Sequence, residues 1–145
     1  MIMGVKDIEI FQKQEDYRNW DKLSQHCDIL EGLTEFEKER AKRAFQYLRE
    51  ELGENFLDNV FNTQHPIFLY IINLVPWTRK WITWLAEAMR ELKEHDNYVS
   101  ILSRIKNGDK AKEGLSVLEI AYKFSKMGFK VFFDPSIEIS QIKKI

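Results

Sequence analysis

From Thr34 onward the apolar positions fall into a helical rhythm. Phe36, Ala41, Ala44, Phe45, Leu48 and Leu52 share one face, while Glu35, Glu37, Lys38, Glu39, Lys42 and Arg43 fill the other, as in an amphipathic helix of about 3.6 residues per turn. Thr34 with Glu37 three residues on makes a capping box, and Gly53 supplies the stop. The charged face reads as a solvated surface whose i,i+4 pairs contribute only about 0.2–0.5 kcal/mol each. Ahead of Thr34 the pattern is ambiguous. Val5, Ile8, Ile10 and Phe11 suit a short strand or a helix, whereas Tyr17, Trp20, Leu23 and Ser24 favour a helical turn.

Beyond Gly53 a short helix is predicted around Phe56, Leu57, Val60 and Phe61, and Pro66 and Pro76 each open a further one. The run Ile67 to Val75 reads as a buried helix. Trp77, Trp81, Trp84, Leu85, Ala88, Met89 and Leu92 recur at helical spacing, which predicts an inward stripe with Trp81 at its centre. Truncating a ring buried there would cost about 3–5 kcal/mol. Asp96 is the expected cap of a helix bearing Tyr98, Ile101, Leu102 and Ile105, stopped by Gly108. A last helix buries Leu115, Leu118, Ala121, Tyr122 and Phe124 and ends at Gly128.

Phe129 to Phe133 is aromatic and β-branched, Asp134-Pro135-Ser136 reads as a turn, and Ile137, Ile139 and Ile142 alternate, which predicts a β-hairpin over residues 129–142. The expected fold is therefore mainly α: one multi-helix globular domain over residues 1–145, helical to about residue 127, with a short C-terminal β-hairpin. Two strands alone are marginal in water, and their open edge favours a homodimer through the C-terminal strands.

Composition narrows the class. At 145 residues, with 44% hydrophobic and 31% charged, the chain has enough apolar material for a core and is unlike a disordered sequence. Cys27 is the single cysteine, so no internal disulfide forms and a reducing compartment fits. The start lacks the basic and apolar pattern of a signal peptide, and Ile67–Val75 falls short of the about 20 residues needed to span a bilayer. A cytoplasmic protein without membrane contact is expected. The net charge of −1 hides an asymmetry: residues 1–75 carry 9 Lys/Arg against 14 Asp/Glu, and residues 76–145 carry 13 against 9. That division orients an acidic partner towards the second half, yet it is far from the strongly basic signature of a general nucleic-acid binder.

Little catalytic chemistry is visible. His26 and Cys27 are neighbours that point apart on a helix, His65 and His95 sit at helix boundaries, and no metal-ligand spacing, nucleophile arrangement or phosphate-cradling glycine loop emerges. No metal or other cofactor is expected. In Pro76 to Trp84, an exposed ring beside Arg79 or Lys80 could stack on a base while the cation meets phosphate. Arg79, Lys80, Arg104, Lys106, Lys110 and Lys112 form the candidate nucleic-acid-binding set. The competing reading, in which the aromatic stripe builds core, is the stronger.

The run from Gly114 through Glu119 and Gly128 to Phe133, a glutamate-bearing helix leading into "Gly-aromatic-x-Val-aromatic", resembles the entry to the catalytic core of nuclease-like proteins of the PD-(D/E)XK superfamily. Leu52 to Leu57, His65-Pro66, Pro76 to Trp81 and Leu102 to Gly108 are similar to the helical leaders that precede such cores, so the likeness covers Leu52 to Pro135. The resemblance implies that an acid on the first core helix assists a metal whose main ligands are a later Asp and an acid-x-Lys triplet. Only Glu119 has a counterpart among these. Asp134-Pro135 reverses the expected order, and Glu138-Ile139-Ser140 lacks the lysine. The chain is accordingly expected to hold the leader and opening elements, truncated before the catalytic motif. Glu119 is more simply a solvent-facing residue paired with Lys123. The leading functional expectation is a non-catalytic helical module for protein interaction or self-association. The alternatives are a metal-dependent nuclease component using magnesium, with Glu119 as one ligand and the site completed by another chain, and a nucleic-acid-binding module.

Overall fold

Local stop and start signals set several of the helix ends. A computed structural model describes residues 5–133, and within them the α-helices run α1 (Val5–Ile10), α2 (Trp20–Cys27), α3 (Glu35–Leu52), α4 (Phe56–Asn62), α5 (Phe68–Ile72), α6 (Pro76–Leu92), α7 (Tyr98–Lys106) and α8 (Ala111–Lys126), with a 3₁₀ turn at Gln14–Arg18. The chain divides into two compact units, residues 1–87 and residues 88–145, the division falling inside α6. No helix among the described residues is long and apolar enough to cross a membrane.

In the first unit, Thr34 and Glu37 make the expected capping box: Glu37 N–H donates to Thr34 Oγ1 at 3.1 Å and Thr34 N–H to Glu37 Oε1 at 2.9 Å. Gly53 leaves α3 with φ 102°, a conformation natural to glycine. Ala41, Ala44, Phe45, Leu48 and Leu52 form the buried face, and α2 packs on α3. Phe36 departs from that face. It lies in the exposed first turn with the Arg40 guanidinium 5.5 Å over its ring. The ambiguous opening is helical in α1, where Asp7 accepts from His26 of α2 and Phe11 stacks on Tyr17 at 4.6 Å.

The apolar run from Ile67 is not a continuous buried helix. α5 has five residues and exposes Leu69 while burying Ile71. On α6, Pro76 takes the first position as expected, and of the expected stripe Leu85, Ala88, Met89 and Leu92 are buried, joined by Thr78, Ile82 and Ala86. The tryptophans are rotated off it. Trp77 is 58% exposed, and Trp81 and Trp84 are half-buried. Aliphatic and small side chains let the helix approach its neighbours closely, and the rings instead lie along its flank, Trp81 stacking on Tyr70 at 3.7 Å.

In the second unit α7 packs on α8. Asn97, with φ 62°, holds the N-cap position of α7 that the sequence suggested for Asp96. The buried stripe of α8 is Ala111, Gly114, Leu118 and Ala121. Gly114 permits the close approach, since a Cβ there would stand 3.0 Å from Arg104 Cβ and 3.2 Å from the Ile105 nitrogen. Gly128, with φ 92°, ends the helix.

The C-terminal β-hairpin is overturned. No β-strand occurs among the described residues, and Phe129–Phe133 makes only an isolated parallel bridge between Asp96 and Phe132. The reason lies in where its amides go: Val131 N–H donates to His95 Nδ1 at 3.1 Å, and Phe133 N–H to the Asp96 carbonyl at 3.1 Å. Asn97 Nδ2 donates to the Phe133 carbonyl at 3.0 Å. The segment is thus fastened to the α6–α7 connection. The expected turn and second strand, residues 134–142, lie outside the described residues.

Candidate functional site

Arg79 is unavailable to a polyanion. Its side chain is fully buried, and its guanidinium donates to the Tyr70 carbonyl at 2.6 Å and the Ile71 carbonyl at 3.2 Å, acceptors in the last turn of α5, where helix carbonyls lack an intrahelical donor. The Phe45 ring lies 5.2 Å from it, and burial pushes its pKa down to about 10. Lys80 is exposed and pairs with Glu37 at 3.3 Å, beside an Arg40–Glu87 pair that likewise joins α3 to α6. The exposed ring of Trp77, edge-on to Tyr70, is followed on α6 by a buried Arg79 and a Lys80 already paired with a carboxylate, which does not suit phosphate.

The remaining basic candidates belong to the second unit. Arg104 pairs with Glu113 at 3.5 Å, and Lys106, Lys110 and Lys112 are exposed around the α7–α8 turn. Glu119 is exposed on α8 and pairs with Lys123 one turn on, at 3.5 Å, the simpler of the two roles read for it.

The histidines and the cysteine serve the packing. His65 Nδ1 accepts from Ile67 N–H at 3.1 Å, and Phe56 meets its ring edge-on. Because His95 Nδ1 accepts from Val131 N–H, the neutral ring carries its proton on Nε2 and donates to Ser125 Oγ at 3.3 Å. In that tautomer it cannot act as a base towards the serine. Cys27 is buried, its thiol donates to the Leu23 carbonyl at 3.4 Å, and burial raises its pKa to about 11, which keeps it protonated and unreactive near neutrality. Among the described residues no three His, Cys, Asp or Glu side chains are grouped to hold a metal ion.

The feature that stands out is apolar. Along α8, Val117, Ile120, Phe124 and the capping Met127 follow a 3-4-3 spacing, one residue round from the stripe that packs on α7. Ile120 is 57% exposed, Phe124 49% and Met127 70%. Phe129–Phe133 runs beside them and leaves Phe129 56% and Phe132 46% exposed. Between helix and segment lies a groove of about 580 Å³, lined by Val117, Ile120, Phe124, Phe129 and Phe132, with Arg104 and Lys130 on its border. Contiguous exposed apolar surface of this kind marks interaction sites.

Sequence reading assigned Phe124 to the core and passed over Ile120. The available signal was that α8 carries too many apolar residues for one face of an amphipathic helix. No family model, curated protein or solved structure matches the chain.

Proposed function

We propose that the chain is a non-catalytic, mainly helical protein-interaction module related to the leader and opening elements of nuclease-like proteins, and that the exposed face of α8 is its contact surface. The groove beside α8 carries this reading, because Ile120, Phe124, Phe129 and Phe132 hold large side chains half in water around one concave surface. Covering them removes apolar area from water at about 25 cal/mol per Å². The same face serves a partner protein or self-association, the form in which a homodimer through the C-terminal region would arise.

The test pairs sedimentation of the chain across a concentration series with fluorescence anisotropy of an uncharged amphipathic peptide, leucine on one face and glutamine on the other. Saturable self-association or peptide binding is expected, and Ile120→Glu and Phe124→Glu, each retaining helical circular dichroism, should abolish it. A chain that stays monomeric and ignores the peptide refutes the reading.

A further inference from the structure

The groove beside α8 carries charge of one sign. Arg104 and Lys130 are its charged lining residues, and no carboxylate among the described residues lines it. Lys130 meets Asp96 at 3.9 Å with more than half of both side chains exposed, and a pair this open contributes little and exchanges readily for another carboxylate. Arg104, its side chain 30% exposed, meets the more exposed Glu113 at 3.5 Å. Lys130 Nζ also lies 5.2 Å over the Phe132 ring, so the cation sits against the apolar wall. A side chain entering between α8 and the segment would pass directly beside it.

We propose that the occupant is a peptide segment of a partner protein whose apolar side chains are bracketed by carboxylates. This rests on the interaction reading above and adds the chemistry of the partner. The apolar floor takes the hydrophobic side chains, and the two cations meet the flanking acids, fixing register and excluding basic competitors. A second copy docking by the same face would bring no carboxylate from the groove lining to meet Arg104 and Lys130. A nucleic acid would find two border cations over a floor dominated by Val117, Ile120 and Phe124, too few phosphate contacts for binding of useful strength.

Three labelled peptides with the same leucine face and flanking glutamate, glutamine or lysine, together with a single-stranded oligonucleotide, decide the matter by anisotropy on the full chain. The glutamate peptide is expected to bind at least about tenfold more tightly than its lysine twin at low salt, an advantage that shrinks as ionic strength rises. Lys130→Glu combined with Arg104→Glu should reverse the order while leaving the glutamine peptide unchanged. Arg104 packs closely beside Gly114, so if the double variant loses its helical circular dichroism, Lys130→Glu alone must narrow the gap. Equal affinity for the acidic and basic peptides, with the glutamine peptide still bound, overturns this proposal and leaves the interaction reading standing. Tighter binding of the oligonucleotide overturns it in favour of a polyanion site. Failure of all three peptides in a chain that stays monomeric removes both readings.

Discussion

Replacing Arg79 separates what a buried cation costs from what its hydrogen bonds return. The guanidinium is wholly inside the first unit, and burial lowers its pKa to about 10. At roughly 1.4 kcal/mol per tenfold change in protonation equilibrium, this corresponds to a penalty of about 3 kcal/mol for keeping the charge there. Against it stand the bonds to the Tyr70 and Ile71 carbonyls. Each leaves a buried acceptor unsatisfied when lost, at about 1–3 kcal/mol. Nε makes no hydrogen bond to the described residues, so it offsets nothing.

Arg79→Met keeps most of the volume, gives up the two carbonyl bonds and a longer one to Thr78 Oγ1 at 3.4 Å, and relieves the charge, and a net loss of about 0–2 kcal/mol follows from those opposed terms. Arg79→Ala adds the cavity left by a long side chain packed on Phe45, which brings the loss to about 3–5 kcal/mol. Urea unfolding followed by circular dichroism, with slopes compared to confirm that each variant unfolds from the same compact state, measures both. An alanine variant within about 1 kcal/mol of wild type, or a methionine variant less stable than the alanine one, would refute the claim that Arg79 is an interior cap whose volume matters more than its charge.

Thr34→Ala removes the Oγ1 acceptor of the α3 capping box and should lower stability by about 0.5–2 kcal/mol, with Thr34→Ser restoring most of it in the same urea assay. His26 has its pKa lowered chiefly by burial, with the hydrogen bond to Asp7 opposing and Arg79 reinforcing the shift. The unfolded chain therefore takes up a proton below about pH 6.5 that the folded chain refuses, so stability falls as pH drops from there, and His26→Gln should flatten that fall in unfolding curves between about pH 7 and pH 5. Asp16 is held down to about 2, first by the Lys22 side chain and then by the Gln12 amide. Its contribution is complete above its unfolded pKa, near pH 4, and disappears as pH falls through about 2, so the wild type's advantage over Asp16→Asn should persist at pH 5 and vanish towards pH 2. Glu119→Gln loses only an exposed pair with Lys123, about 0.2–0.5 kcal/mol. Neither protein should cleave DNA or RNA with magnesium, and cleavage by wild type that the substitution abolishes would restore the nuclease alternative.

The ends of several helices were legible in the sequence because the signals act over one turn. Thr34 with Glu37, Gly53, Pro76 and Gly128 each satisfy or release backbone groups within a few residues of themselves, and no distant partner is needed. Helicity at 3.6 residues per turn was equally readable in α3, α6 and α8. The side that each helix buries was less so. On α6 the positions Trp77, Trp81 and Trp84 and the positions Thr78, Ile82 and Leu85 each repeat at helical spacing one residue apart, about 100° of rotation. Leu85, Ala88, Met89 and Leu92 lie inside as expected, while the tryptophans lie off the buried side. Only the packing of α6 against its neighbours within the first unit chose the aliphatic stripe and left Trp77 in water. α8 poses the same ambiguity, and the small Gly114 facing Arg104 settled it in favour of Ala111, Leu118 and Ala121, which put Ile120 and Phe124 outside.

Two further outcomes depended on groups distant in sequence. Arg79 became an interior cap because α5 ends beneath it with carbonyls to satisfy, a need that nothing in Trp77 to Lys80 reveals. Phe129–Phe133 has the composition of a strand, but composition measures how side chains fit a pleated surface and leaves open which acceptor each amide will find. His95 and Asp96 supplied those acceptors. Local chemistry thus determined where helices start and stop, whereas the buried faces, the fate of Arg79 and the groove beside α8 followed from long-range packing, since burial and hydrogen-bond satisfaction are properties of the assembled neighbourhood rather than of any one segment.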